Sequence, residues 1–314
     1  MNNSNKKALN NKTNKSSNLN HCQTSSKQAR DKSQASSPHQ IAFEILQQVI
    51  FNKKHLSEQF GLYPDIPAFT KDLCFKTCRY YFVLKDILKS FMQKPLKDNP
   101  KNHPCEVALL MGLCQLIYLD IKDHAAVNET LKCLNTPKTT WCKKLVNAIL
   151  RSYLRKGSNN KDKALKTSPW LNNQLITNWP EQADDIIKAM LKHPPMSMRI
   201  NTQKISPKDY KEKLDQTNIS YIDPKIENLI EAIIIDPPVA TNKIPGFYDG
   251  LISVQDIAAQ YCTILLDPKP NDIILDACAA PGGKLSHIIQ IQPDLKKLIG
   301  FEVDNKRFST LKNS

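Results

Sequence analysis

Glycine is scarce: the 314-residue chain has 8, and two of them stand side by side at Gly282 and Gly283. A residue so rarely used is there because the backbone needs it, to make a tight turn or to bring main-chain N–H groups close to a ligand. Long apolar runs are absent as well. None approaches the roughly 20 residues that cross a bilayer. The N-terminus has neither the apolar core of a secretory signal nor the arginine-rich amphipathic pattern of a transit segment. The chain is therefore expected in the cytoplasm, without a membrane partner. No C-x-x-C pair occurs among the 9 cysteines. Their odd number, their scatter and the one-turn spacing of Cys74 and Cys78 indicate buried thiols in a reducing compartment, with no disulfide framework and no metal site. Acids are outnumbered, 30 against 44 Lys and Arg, for a formal net charge of +14. That excess points to an anionic partner, or to lysines that only solvate the surface.

Residues 1–37 are rich in Asn, Ser and Lys and nearly free of apolar side chains. They bury too little surface to fold and read as a disordered basic tail. From Pro38 the period turns helical: Ile41, Ile45, Leu46 and Val49, then Phe69, Leu73, Tyr80, Tyr81, Leu84, Leu88 and Met92, recur every three to four residues. Strand-like alternation is missing, so residues 38–157 are expected to form an all-helical bundle. Lys143, Lys144, Arg151, Arg155 and Lys156 crowd its last helix. They suit RNA phosphates, or form a solvated face that complements the helix C-terminus. A polar linker is expected over 158–167.

Residues 168–245 read as a small α/β module. Ser168-Pro169 has the N-cap and first-position pattern of a helix start. Helices are expected over 170–179, 183–191 and 208–214, an extended segment over 196–200, and strands over 219–222 and 229–235. Arg199 and Asn201 are placed to face RNA, or Arg199 is an ordinary surface residue. From residue 246 the chain begins a further domain. A helix over 254–266 puts Gln255 or Asp256 within reach of a ligand turn some 25 residues on.

That turn lies in D-I-I-L-D-A-C-A-A-P-G-G-K, Asp272 to Lys284. Ile273, Ile274 and Leu275 suit a parallel strand buried on both faces. Asp276 stands at the carboxyl edge, where such strands deliver ligand groups. Ala277, Ala279 and Ala280 leave room, and a helix start succeeds the glycines. A P-loop would need Gly at Cys278 and Ser or Thr at Leu285, and a dinucleotide fingerprint would need separated glycines. Both fail, which leaves an adenosyl ligand without a phosphate chain. Glu302, about 20 residues on at the end of a second apolar run, is placed to bind ribose hydroxyls, with Asp304 as its competitor. One more helix start lies at 306–311.

D-A-C-A-A-P-G-G-K, preceded by G-L-I-S-V-Q-D-I-A-A-Q (Gly250 to Gln260), closely resembles the S-adenosylmethionine site of bacterial RNA 5-methylcytosine methyltransferases. Upstream, I-K-D-H-A-A-V-N-E-T (Ile121 to Thr130), V-N-A-I-L-R (Val146 to Arg151) and H-P-P-M-S-M-R-I-N (His193 to Asn201) resemble the RsmB/Sun/Fmu branch of that family. The likeness runs from about Pro38 to the end. It implies a multidomain chain: an all-α NusB-like RNA-binding bundle, the small α/β module, and over 246–314 the incomplete start of a Rossmann-like methyltransferase domain. It implies S-adenosyl-L-methionine as cofactor, held by Asp276, Cys278, Ala279, Ala280, Pro281, Gly282, Gly283, Lys284 and Glu302. The implied partner and substrate is 16S ribosomal RNA, contacted by Lys143, Lys144, Arg151, Arg155 and Arg199 and methylated on a cytosine.

Methylation at carbon 5 of cytosine needs a thiolate to add at carbon 6, with the base extruded into a pocket. The family carries cysteines in a P-C and a T-C motif on later strands, and both are expected after Ser314. No residue of this chain is therefore assigned as catalytic, and the chain alone is expected to be inactive. Cys278 matches the ligand-binding motif rather than the nucleophile's. Three readings stand: the RNA- and cofactor-binding half of a methyltransferase, a non-enzymatic NusB-like RNA-binding module left by truncation, or a chain whose C-terminal half is supplied separately.

Overall fold

The computed structural model describes residues 37–63, 65–156 and 166–312. The expected basic tail, save Ser37, and all of the expected linker but Lys166 and Thr167 lie outside the described residues. Two compact units divide the chain, one ending at Lys192 and one starting at His193.

The first unit is helical: α1 (Pro38–Ile50), α2 (Leu56–Gly61), α3 (Ala68–Arg79), α4 (Tyr81–Phe91), α5 (His103–Tyr118), α6 (Asp123–Lys132), α7 (Lys143–Arg155), α8 (Pro169–Asn178) and α9 (Ala183–Leu191). Its centre is α5, where every residue from Cys105 to Gln115 is buried. A helix apolar on all sides belongs inside a bundle, and α1, α3, α4, α6 and α7 surround it. Gly112 permits the close approach to α7, because a Cβ there would lie 2.7 Å from Leu150 Cδ1. The single period expected from Phe69 to Met92 is broken at Tyr80, whose ψ of 15° separates α3 from α4. Tyr80 packs on the cluster of Leu175, Ala183, Ile187 and Leu191, and its O–H donates to the Leu191 carbonyl (3.2 Å). The module expected over 168–245 thus spans the division, its first two helices in this unit and its third helix and strands in the next.

Ser-Pro starts three helices. Ser37, Ser168 and Ser206 each accept a backbone N–H of the first turn, with proline next at the position where a missing N–H costs nothing.

In the second unit a four-stranded antiparallel sheet has the order β2–β3–β1–β4, from β1 (Met196–Ile200), β2 (Tyr221–Ile222), β3 (Ala232–Ile235) and β4 (Ile252–Val254). The helix α10 (Pro207–Gln216) buries Tyr210 and Leu214 in the same core as Met198, Ile233, Ile235 and Ile252. The expectation of helix from Val254 onward is corrected. Ile252 and Val254 pair with Ile200 and Met198 of β1, and the helix α11 (Ile257–Leu266) starts only after Asp256, whose Oδ1 accepts the Ala258 N–H (2.8 Å). The strand expected from Leu229 is shorter, because Asn228 has a φ of 62° and a turn runs to Ala232.

After α11 come β5 (Ile273–Asp276), α12 (Gly283–Ile291), β6 (Lys297–Gly300) and α13 (Asn305–Lys312), with β5 and β6 parallel. A strand, crossover helix and parallel strand form the unit from which doubly wound sheets are built. The β5 strand is not buried on both faces as its composition suggested. Ile274 is buried, whereas Leu275 is 62 % exposed and Phe301, just past β6, 57 %. Side chains alternate across a sheet, and among the described residues only the face carrying the even-numbered positions of these two strands is covered.

Candidate functional site

Asp276, Gly300 and Glu302 share the covered side of the parallel pair, with Asp276 and Gly300 directly paired. The turn after Asp276 folds back over them. The Cys278 N–H donates to Asp276 Oδ1 (3.0 Å), the Ala279 N–H to the Phe301 carbonyl (3.0 Å), and the Phe301 N–H to the Asp276 carbonyl (2.8 Å). A Cβ on Gly300 would stand 3.0 Å from Ala279 Cβ and 2.7 Å from Leu285 Cδ1, so this glycine is what lets the turn lie against the strand. It was missed in the sequence, although an isolated glycine in a strand is a signal of close backbone approach.

Ala279, Ala280 and Gly282 are buried, and Cys278, Pro281 and Lys284 are exposed. Gly282 has φ 114°, a conformation that L side chains rarely adopt. Gly282 and Gly283 lead directly into α12, whose N-terminus carries no side-chain cap. Its first N–H groups are free to meet a ligand, and the helix dipole favours an acceptor or anion there.

Two carboxylates stand at the carboxyl ends of the parallel strands. Asp276 uses Oδ1 on Cys278, and its Oδ2 is buried without a hydrogen-bond partner. The Glu302 side chain is 6 % exposed. Its Oε1 accepts the Asp304 N–H (3.0 Å), and its Oε2 lies 3.3 Å from Arg307 Nη1. That is an ion pair off the line of a hydrogen bond, so Oε2 still lacks a hydrogen-bond donor. Asp304, the competitor for the ribose role, accepts the Arg307 N–H through Oδ1 (3.0 Å) at the start of α13. Arg307 Nη2 in turn donates to the Ala280 carbonyl (2.6 Å), tying α13 to the turn.

Arg199 is corrected. It was expected to face RNA, yet it is fully buried and cannot reach a phosphate. Its guanidinium donates to Gln290 Oε1 (3.0 Å), the Gly283 carbonyl (2.9 Å), Ser286 Oγ (2.9 Å) and Gln255 Oε1. Burial lowers its pKa to about 10, with Glu231 opposing, so it stays charged near neutrality. Asn201 is likewise structural, donating to the Gly250 carbonyl (3.0 Å). Of the two residues proposed to reach the turn, Gln255 does so through Arg199, whereas Asp256 caps α11. On α7, Lys144, Arg151 and Arg155 are exposed at a spacing that puts them on one helical face. Lys143 is half-buried, its Nζ on Asn135 Oδ1.

Among the described residues no helix is long and apolar enough to cross a membrane, and no three His, Cys, Asp or Glu gather as a metal-binding group.

Three families match successive parts of the chain: the NusB family over 36–155, the ferredoxin-like domain of RsmF/B-like methyltransferases over 168–242, and the 16S rRNA methyltransferase RsmB/F over 263–314. The chain is 33 % identical over 281 residues to the probable ribosomal RNA small subunit methyltransferase B of Coxiella burnetii, covering 86 % of this chain and 64 % of that protein. It is 37 % identical over 266 residues to the ribosomal RNA small subunit methyltransferase B of Pasteurella multocida, covering 81 % and 58 %. The chain therefore spans less than two thirds of either relative. The crystal structure of PH0851 has the same fold, with a TM-score of 0.62 at 18 % identity, over 89 % of this chain and 66 % of that one.

Proposed function

This chain belongs to the 16S rRNA methyltransferase RsmB/F family, and from that membership and the geometry of the turn we propose that it serves S-adenosyl-L-methionine-dependent methylation of carbon 5 of a cytosine in 16S ribosomal RNA, in the cytoplasm. In this reading α7 presents Lys144, Arg151 and Arg155 to the RNA backbone, with Lys143 at the edge, and the turn from Asp276 to Lys284 holds the cofactor with Glu302.

The observation that carries the reading is Asp276 Oδ2, a buried acceptor without a donor at the start of the turn that leads into an uncapped helix N-terminus, with the buried Glu302 carboxylate just past the paired strand. A buried acceptor left unpaired costs about 1–3 kcal/mol, which supports a ligand that donates to Asp276, while Glu302 Oε2 already has the Arg307 guanidinium at 3.3 Å. Ribose hydroxyls suit Glu302, and an ammonium suits Asp276. Ala279, Ala280 and the two glycines keep the space clear of side chains, Cys278 and Pro281 shape the turn, and Lys284 stands exposed at the first turn of α12. When bound, the cofactor supplies an electrophilic methyl group. The chain's own residues bind and orient it.

The thiolate that adds to carbon 6 is assigned to none of the described cysteines. Burial raises the pKa values of Cys114 and Cys133 to about 12 and also raises that of Cys74, so these remain inert thiols. Cys278 holds the turn through its N–H. The role is proposed for a cysteine in a P-C or T-C segment of the kind the family resemblance implies, in the same polypeptide or supplied separately.

A second reading, an RNA-binding module without catalysis, is favoured by the basic face of α7 alone. Tritiated methyl transfer to unmodified small-subunit RNA decides between them. It is run with the chain by itself and with a relative's C-terminal half added, each with and without Gly282→Val. Incorporation only in the supplemented reaction, abolished by Gly282→Val, is expected. Incorporation by the chain alone returns the nucleophile to one of its own thiols. RNA binding without incorporation in any reaction supports the second reading.

A further inference from the structure

Gln255 is held in an unusual way. A guanidinium only donates hydrogen bonds, so Arg199 obliges Gln255 to present its oxygen. The amide nitrogen is thereby turned away, and it is buried without an acceptor on a residue only 7 % exposed. Its position is fixed from behind as well. Gln260 Nε2 donates to the Gln255 carbonyl (3.0 Å) and to the Met198 carbonyl (3.2 Å), which holds the segment before α11 against β1.

That nitrogen lies beside the start of α12. A Cβ on Gly283 would be 3.9 Å from it. Next to the uncapped start of this helix there is thus a buried amide nitrogen without an acceptor. At the start of the turn is Asp276 Oδ2, a buried acceptor without a donor. Donors that seek an anion and an anion that seeks a donor, at the two ends of one turn, complement a zwitterion.

We propose that Gln255 Nε2 donates to the carboxylate at the amino-acid end of the adenosyl ligand, and that Arg199 is the positioning residue that orients Gln255 and ties it to the first turn of α12. The proposal rests on the reading of the turn as an S-adenosylmethionine site. Arg199 never touches the ligand. It holds both parts of the carboxylate subsite at once, through Gln255 Oε1 and through the Gly283 carbonyl and Ser286 hydroxyl.

The test is ligand-detected NMR titration of the full chain with S-adenosylhomocysteine and with 5′-methylthioadenosine, which shares the nucleoside and sulfur but has no amino-acid end. Gln255→Glu keeps the shape and the contact to Arg199 while replacing the donor with an acidic oxygen. It is expected to weaken S-adenosylhomocysteine by about tenfold or more and to leave 5′-methylthioadenosine unchanged. Arg199→Met is expected to show the same selectivity, and Arg199→Lys, which keeps a donor for Gln255, a smaller loss. Where Arg199→Met does not fold, Arg199→Lys is the measurement that counts. An equal loss of both ligands, or no loss of either, in Gln255→Glu or in the folded Arg199 variant overturns the proposal while leaving the cofactor reading intact. If the unsubstituted chain binds neither ligand, the cofactor reading itself fails and takes the proposal with it.

Discussion

Among the described residues Arg199 and Glu231 are buried charged side chains of the second unit, and each has partners that explain it. Glu231 is the clearest. Burial acts to raise its pKa, but the hydrogen bond from His287 Nε2 (2.8 Å) and the nearby Arg199 outweigh burial and leave it below its ordinary value of 4.5. A carboxyl whose pKa is depressed on folding adds stability above its unfolded value, and that stability is lost as pH falls through the folded one. The stability difference between the unsubstituted chain and Glu231→Gln should therefore be largest at neutral pH and shrink as the pH falls from the unfolded value of 4.5 through the lower folded one, as urea midpoints measured across that range would show. Arg199 shows why residue-level reading of the sequence reaches its limit. A lone arginine on a strand is normally at the surface. Only the close approach of α12 to β1, which composition does not encode, turns this one inward.

At the scale of elements, the glycines separate two kinds of information. Gly282 and Gly283 are legible as a ligand turn from their neighbours in sequence. Gly112 and Gly300 matter only through elements brought against them, Leu150 of α7 in one case and Ala279 and Leu285 in the other. Replacing Gly112 with Val should force α5 from α7 and destabilise the helical unit by about 1–3 kcal/mol, measured by urea unfolding monitored by far-ultraviolet circular dichroism. The element α7 carries a second prediction. Its buried side is Val146, Ile149, Leu150 and Tyr153, so substitutions on the opposite face are free of the core. Changing Lys144, Arg151 and Arg155 together to Gln should leave the fold intact while weakening binding to a ribosomal RNA fragment. The slope of log affinity against log salt should become shallower by about two to three. An unchanged slope would reduce the basic face to solvated charge. The helix periodicity that located these elements was readable because one apolar side recurs every three to four residues. β4 was not, since three residues ahead of a helix cap carry no period of their own and are extended only because β1 pairs with them.

For the whole molecule, the two units differ in how completely they are covered. The helical unit surrounds α5 on all sides, whereas the β5–β6 pair leaves Ile273, Leu275, Ile299, Phe301 and Val303 exposed. Parallel sheets are ordinarily covered on both faces, and an open apolar face with unpaired edges promotes association. Leu275→Lys or Phe301→Lys should raise the concentration at which the chain stays monomeric in light scattering and reduce its binding of a hydrophobic dye. Neither side chain belongs to the covered face that carries Asp276 and Glu302, so binding of S-adenosylhomocysteine should be unaffected.

The sequence by itself determined the local facts: the helical bundle from Pro38, the strand, glycine turn and helix beginning at Ile273, the carboxylates Asp276 and Glu302, and the family through motifs that are contiguous in the chain. Each depends on residues within a turn or two of one another, where periodicity and backbone chemistry act directly. The tertiary structure alone decided which groups face which. It buried Arg199 beneath the ligand turn, committed Asp304 and Asp256 to helix caps, drew Gln255 beside Gly283, and left one side of β5 and β6 uncovered. These outcomes depend on contacts between segments dozens of residues apart, and a linear pattern does not contain them.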